Sequence, residues 1–184
     1  LTPAMVEKAR SEAAAAGVGN VSFELGDATA LDIADDTFDG AVTRYSLHHI
    51  PAPVRVLEEM RRVVKPGGLV VVADHVTDDD GAAAAWHEEI ERLRDPSHWA
   101  CLTPARLAAL GERAGLDPDL DRVVPFRIDF DEWLGRGSGG PANAELIERL
   151  LGEAPATVGS FVVSNEGDGR VLALRNSLHR WRVP

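Results

Sequence analysis

The chain has 184 residues, 30 of them acidic and 19 basic, for a formal charge of -11 and a pI near 4.9. That length suits one domain with a sizeable core, since domains commonly run to about 100–150 residues. The acidity excludes non-specific binding to nucleic acid or anionic membrane, which needs basic surface to neutralise phosphates, and it favours a small neutral or cationic ligand.

Thr2 and Pro3 form a good helix start, and the alanine-rich run over residues 3–16 with Glu7, Lys8, Arg10 and Glu12 has helix composition. Gly17 and Gly19 end it. Val21 to Leu25 alternates apolar and polar residues, which predicts a short strand delivering Asp27 to its C-terminal end. After an acidic turn at 32–37, the run 38–43 reads as a buried strand ending at Arg44. Val54, Leu57, Met60, Val63 and Val64 recur at helical spacing over 53–64. Pro66-Gly67-Gly68 then turns the chain into a strand over 69–73.

Two more helices are expected over 82–94 and 103–114, the second capped by Thr103, opened by Pro104 and stopped by Gly115. Beyond them the pattern weakens: a strand over 122–129, helical turns over 131–134 and 143–151, and a last strand over 171–175. The glycine-rich stretch Gly135–Gly140 reads as a mobile surface loop. Alternating helices and strands predict an α/β fold, a doubly wound, mostly parallel sheet with helices on both faces. In such sheets ligands bind outside the carboxyl ends of the strands, which makes Asp27, Arg44 to His49 and Asp74-His75 neighbours by topology.

Cys101 is the one cysteine and has no intramolecular partner, so a cytoplasmic protein with a plain buried or half-buried thiol is expected. No run of 18 apolar residues and no basic-then-apolar leader pattern occurs, so neither a membrane span nor a signal peptide is expected. Histidines are frequent, but no two lie at helical ligand spacing and no cysteine pair accompanies them. His48 and His49 on extended chain would point opposite ways, so no metal site is expected.

Four segments in order carry a resemblance: Gly26-Asp27-Ala28, Asp36-Thr37-Phe38-Asp39, Leu47-His48-His49-Ile50, and Arg62 to Gly68. They resemble the motifs of class I S-adenosylmethionine-dependent methyltransferases, in the branch of the ubiquinone and menaquinone enzymes. The likeness extends through Arg94 to His98 and the Thr103-Pro104 helix start. It implies a Rossmann-like methyltransferase fold and S-adenosylmethionine as cofactor. Residues 1–184 are then one domain, with 1–75 the cofactor-side half and 76–184 the substrate-side and C-terminal half.

The resemblance implies that Asp27 accepts from the adenine amino group while the Ala28 backbone meets the ring edge. It puts Arg44, Ser46 and Leu47 beneath the methionine part of the cofactor. His48, His49 and His98 are the candidate catalytic residues, because an imidazole near neutrality can take a proton from a hydroxyl or amine as it is methylated. His98 and Trp99 fall where the family lines its acceptor. Each assignment has a plainer reading: Asp27 as a solvated turn residue, Arg44 paired with an acid near Asp35, Trp99 in the core with His98 capping a helix. Trp86, Trp133 and Trp181 read as packing residues.

Relatives open with a strand, a glycine-rich loop, a helix and a second strand ending in an acid. None of these is legible before Leu1-Thr2-Pro3-Ala4-Met5, so the resemblance implies a chain lacking the first two strands. A homodimer or strand exchange covering the exposed sheet edge follows as an expectation. Two functions are weighed: methyl transfer to a small molecule, and a non-catalytic or regulatory subunit of the same fold.

Overall fold

The computed structural model describes residues 2–184. Helix α1 (Pro3–Ala15) starts at Thr2, whose hydroxyl accepts from the Met5 N–H at 3.3 Å, and ends at left-handed Gly17. It lacks an apolar stripe and buries only Val6. The strand expected over 21–25 does not form, and Asp27 makes only an isolated bridge to Ala30. Strand backbone is stable only when a neighbour takes its N–H and C=O groups. Among the described residues no strand pairs with this segment; the Arg10 side chain donates to the Phe23 carbonyl at 2.6 Å, and Val21 and Leu25 stay exposed.

Strand β1 (Phe38–Arg44) pairs in parallel with β2 (Val64–His75), the two joined by α2 (Pro53–Val63). Val56, Leu57, Met60 and Val63 are the buried stripe of α2. The Pro66-Gly67-Gly68 turn is present as an excursion within β2: the pairing jumps from Phe38↔Val64 to Gly40↔Leu69. Gly67 sits at φ 79, and a Cβ on Gly68 would lie 2.7 Å from the Asp39 carbonyl oxygen, so both positions require glycine.

Helices α3 (Gly81–Arg94) and α4 (Pro104–Arg113) follow, capped by Asp80 and Thr103. Next come β3 (Asp117–Asp129), α5 (Phe130–Arg136), α6 (Ala144–Gly152), β4 (Phe161–Glu166) and β5 (Gly169–Arg182). The last two form a hairpin closed by Gly167-Asp168, with Gly167 left-handed as a two-residue loop demands.

The sheet order is β1-β2-β5-β3, with β4 also beside β5. The α/β class with flanking helices is as expected. The sheet is mixed: β1 and β2 run parallel, while β5 is antiparallel to β2, β3 and β4. Two clusters cover it. Val70, Val72 and Trp181 pack with α2 and α4, while Leu172 and Leu174, of opposite strand parity to Trp181, pack with Trp86, Ile90, Phe130 and Ile147. Trp86, Trp133 and Trp181 are all core residues, as read from the sequence.

The stretch Gly135–Gly140 is not the mobile surface loop expected. Gly137, Gly139 and Gly140 are buried, and the Gly139 N–H donates to the Arg94 carbonyl at 2.8 Å. A Cβ on Gly140 would fall 2.1 Å from the Leu134 carbonyl oxygen. These glycines permit close backbone approach, and the sequence pattern alone cannot distinguish that from flexibility. No helix among the described residues is long and apolar enough to cross a membrane.

Candidate functional site

The carboxyl ends of β1 and β2 lie side by side, with Arg44 paired to Ala73. After Arg44, Tyr45 takes a left-handed φ of 49 and the chain closes a 3-10 turn over Leu47–His49. Asp74, at the end of β2, holds that turn in place. Its Oδ2 accepts from the Leu47 N–H at 2.9 Å, and its Oδ1 accepts from His48 Nδ1 at 2.6 Å and from the His75 N–H at 2.9 Å. Asp74 is buried. Burial alone would raise its pKa, but the His48 hydrogen bond, the charges of His48 and His75 and the His75 N–H more than offset this and hold it below the usual carboxylate range.

A third segment, the loop following α3, completes the site. Trp99 and Ala100 donate their N–H groups to the His48 carbonyl at 2.7 and 3.1 Å. His49 Nδ1 lies 3.1 Å from the Ser97 carbonyl. His98 is buried with Nε2 3.2 Å from a Glu88 carboxylate oxygen. His75, also buried, is pushed down to about 4, chiefly by burial. Burial likewise lowers His49, helped by the neighbouring His48.

All three candidate catalytic histidines therefore converge here. The expectation that His48 and His49 diverge is corrected: in a 3-10 turn, unlike an extended chain, their ring centroids lie 4.1 Å apart. A cavity of about 330 Å³ opens beside them, lined by Arg44, Tyr45, His48, His49 and His75 and walled by Glu91, Phe126 and Trp133. Of the lining residues, Glu91, Phe126 and Trp133 were not singled out for this role by sequence. Glu91 had one legible signal, an acidic residue one helical turn after His87 on the buried stripe of α3. Trp99, by contrast, is 54% exposed, so the core reading fails, and it does not line the cavity. His98 packs against Glu88 in the body of α3 and does not cap that helix.

Arg44 is exposed and makes no ion pair among the described residues, with its guanidinium 4.7 Å above the Tyr45 ring. The acid near Asp35 that might have paired with it is engaged elsewhere. Arg62 bonds Asp35 at 2.8 Å, Glu59 at 2.7 Å and the carbonyls of Leu31 and Ile33, tying the 31–35 segment to α2. Ser46 Oγ donates to the Arg44 carbonyl at 3.1 Å. Leu47 is buried and commits its N–H to Asp74, so it meets a ligand only through its side chain or carbonyl.

Asp27 is the exposed turn residue of the plainer reading: Oδ1 accepts from the Thr29 N–H at 2.8 Å and hydroxyl at 2.7 Å. Those bonds, backbone first, hold its pKa below the ordinary value, so it is a carboxylate at neutral pH. Its Oδ2 takes no hydrogen bond among the described residues, which leaves an acceptor for an exocyclic amine. Asp27 and Ala28 do not line the cavity at the strand ends.

Comparison with known proteins gives the family. The family profile described as "Methyltransferase domain" matches residues 1–115. An uncharacterized methyltransferase of Bacillus subtilis, YcgJ, is 34% identical over 174 residues, covering 94% of this chain and 68% of the relative. The YcgJ crystal structure superposes with a TM-score of 0.88 at 28% identity, over 98% of this chain and 79% of that one. A demethylmenaquinone methyltransferase of Renibacterium salmoninarum is 46% identical over 112 residues, 60% of this chain and 47% of the relative. The chain belongs to the class I S-adenosylmethionine-dependent methyltransferases.

Proposed function

We propose that the chain methylates a small molecule seated in the cavity at the ends of β1 and β2. The observation that carries this reading is the cavity's size. At about 330 Å³ it falls in the range of small-ligand sites. Tyr45, Phe126 and Trp133 offer flat apolar surface, which suits a ring-bearing acceptor.

S-adenosylmethionine supplies a methyl group on a positively charged sulfur, already activated for transfer. What the chain's own residues then contribute is mainly alignment, worth a large share of the barrier in an in-line displacement. Arg44, free of other partners, faces a carboxylate, and Asp27 takes an amine through Oδ2. The Leu47–His49 turn, fixed by Asp74, lies beside Arg44 at the cavity. His49 is the residue placed to accept a proton: its Nδ1–H donates to the Ser97 carbonyl, which leaves Nε2 as a bare acceptor. The buried Cys101 thiol and the absence of a partner cysteine suit a reducing cytoplasm.

The experiment is an assay of S-adenosylhomocysteine release against a panel of phenols, quinols, catechols and amines, with unfolded protein and peptide acceptors alongside. Turnover on one small-molecule class, cut at least tenfold by His49→Gln, supports the reading. Release confined to the macromolecular acceptors would overturn it.

A further inference from the structure

Three imidazoles are gathered behind the cavity: His48 from the 3-10 turn, His75 from the end of β2 and His98 from the loop after α3. All three are more than nine-tenths buried. One nitrogen of each lies within 4.8 Å of one nitrogen of each of the others. Ring centroids are 4.2 Å apart for His48 and His75, 5.6 Å for His48 and His98, and 6.0 Å for His75 and His98. We propose that His48, His75 and His98 form a binding site for one divalent transition-metal ion of the zinc type, with an open coordination position towards the acceptor cavity.

Three observations point to a cation. The first is an orphan: His75 Nε2 is buried and has no hydrogen-bond partner. Leaving such an atom unsatisfied costs about 1–3 kcal/mol, and three buried rings held so close gain little from one another. The second is the arrangement of carboxylates behind the rings. Asp74 accepts from His48 Nδ1 at 2.6 Å and a Glu88 oxygen lies 3.2 Å from His98 Nε2, whereas the Glu91 oxygen 3.8 Å from His75 Nε2 is beyond hydrogen-bond reach and leaves that nitrogen free. A carboxylate on one ring nitrogen fixes the tautomer and raises the basicity of the other, which is the usual outer shell of a metal-bound histidine. For His48 this leaves Nε2 with the lone pair. The third is access. His48 and His75 line the acceptor cavity, so a fourth ligand can enter from that side.

Metal–nitrogen distances of about 2.0–2.1 Å place ligand nitrogens roughly 3.4 Å apart around a tetrahedral ion. Side-chain rotations of about 1 Å bring the present spacing to that value. Three neutral imidazoles with one vacant position suit zinc, and the same donors accept cobalt, nickel or ferrous iron. The adjoining trio of Glu88, His98 and Cys101 is a poorer site, because its thiol would have to ionise in buried, acidic surroundings. No sequence motif announced this group. The three histidines come from three different elements and share no spacing rule, so only the fold collects them.

The site is defined by the protein alone, so its test needs neither cofactor nor acceptor and can fail independently of the methyl-transfer reading. Untagged protein, stripped with chelator, is titrated with zinc chloride by calorimetry, and with cobalt chloride while the visible spectrum is followed. The expected result is one equivalent of zinc, with His75→Gln and His98→Gln each weakening it about 100-fold. Glu88→Gln should weaken it about 10–100-fold through the ring it orients, and the control His179→Gln should leave it unchanged. The cobalt form of the wild type should show the intense ligand-field bands of a four- or five-coordinate nitrogen site, a readout that survives if a variant misfolds. An octahedral, aqua-like cobalt spectrum, or zinc binding unaltered in His75→Gln, would overturn the proposal.

Discussion

Replacing Asp74 by alanine removes one buried carboxylate that serves four donors: the Leu47 N–H, the His48 N–H and ring, and the His75 N–H. Each donor left without a partner costs about 1–3 kcal/mol, and the total comes to about 3–5 kcal/mol once the site relaxes. For a chain of this length that corresponds to a fall in melting temperature of roughly 10 °C. Asp74→Asn keeps the volume and one acceptor oxygen, so it should cost only about 1–2 kcal/mol. Urea unfolding at neutral pH in the presence of chelator measures both. If alanine and asparagine fall within about 0.5 kcal/mol of the wild type, Asp74 is not what positions the Leu47–His49 turn, and the account of the site's geometry fails.

Three further outcomes follow from other parts of the molecule. Gly111→Ala should destabilise α4 although alanine is the better helix former by about 1 kcal/mol. The new Cβ would lie 2.2 Å from the Trp181 ring, and overpacking a rigid core costs about 1–3 kcal/mol or more, which thermal melting would register as a net loss. Glu59 is lowered from 4.5 to about 2, mainly by its hydrogen bond to Arg62 and then by the Leu31 N–H. A depressed carboxyl contributes stability that is complete above 4.5 and is lost as pH falls towards 2, so Glu59→Gln should flatten the acid limb of the stability curve in that window. The outer edge of β1 has no partner among the described residues and leaves Val42 72% exposed. It should self-associate with rising concentration, and Val42→Lys should suppress this in sedimentation velocity runs.

The parts of the fold that sequence made legible are those where a local rule decides. The α2 stripe, the Thr103-Pro104 start of α4 and the β-branched run of β2 each follow from periodicity or capping alone. Val21–Leu25 misled because alternation signals a strand only when a partner exists to pair with it. The β4–β5 hairpin was half missed: its Gly167-Asp168 loop is a plain turn signal, but Phe161–Glu166 does not alternate cleanly. At the cavity, the lining by the Arg44 to His49 segment was legible as the stretch that follows a strand end, whereas Asp27 lies outside that lining. The burial of Glu91, the role of Asp74 as a clasp and the meeting of His98 with His48 and His75 depend on contacts between residues far apart in sequence, which no local pattern encodes.

We propose that the Arg44–His49 turn forms the cofactor side of the methyltransferase site. Calorimetric titration with S-adenosylhomocysteine, on the wild type and on Arg44→Ala, tests it most directly. Saturable binding at one equivalent is expected, weakened at least tenfold by the substitution. Absence of binding at millimolar ligand, or binding indifferent to Arg44, would contradict it.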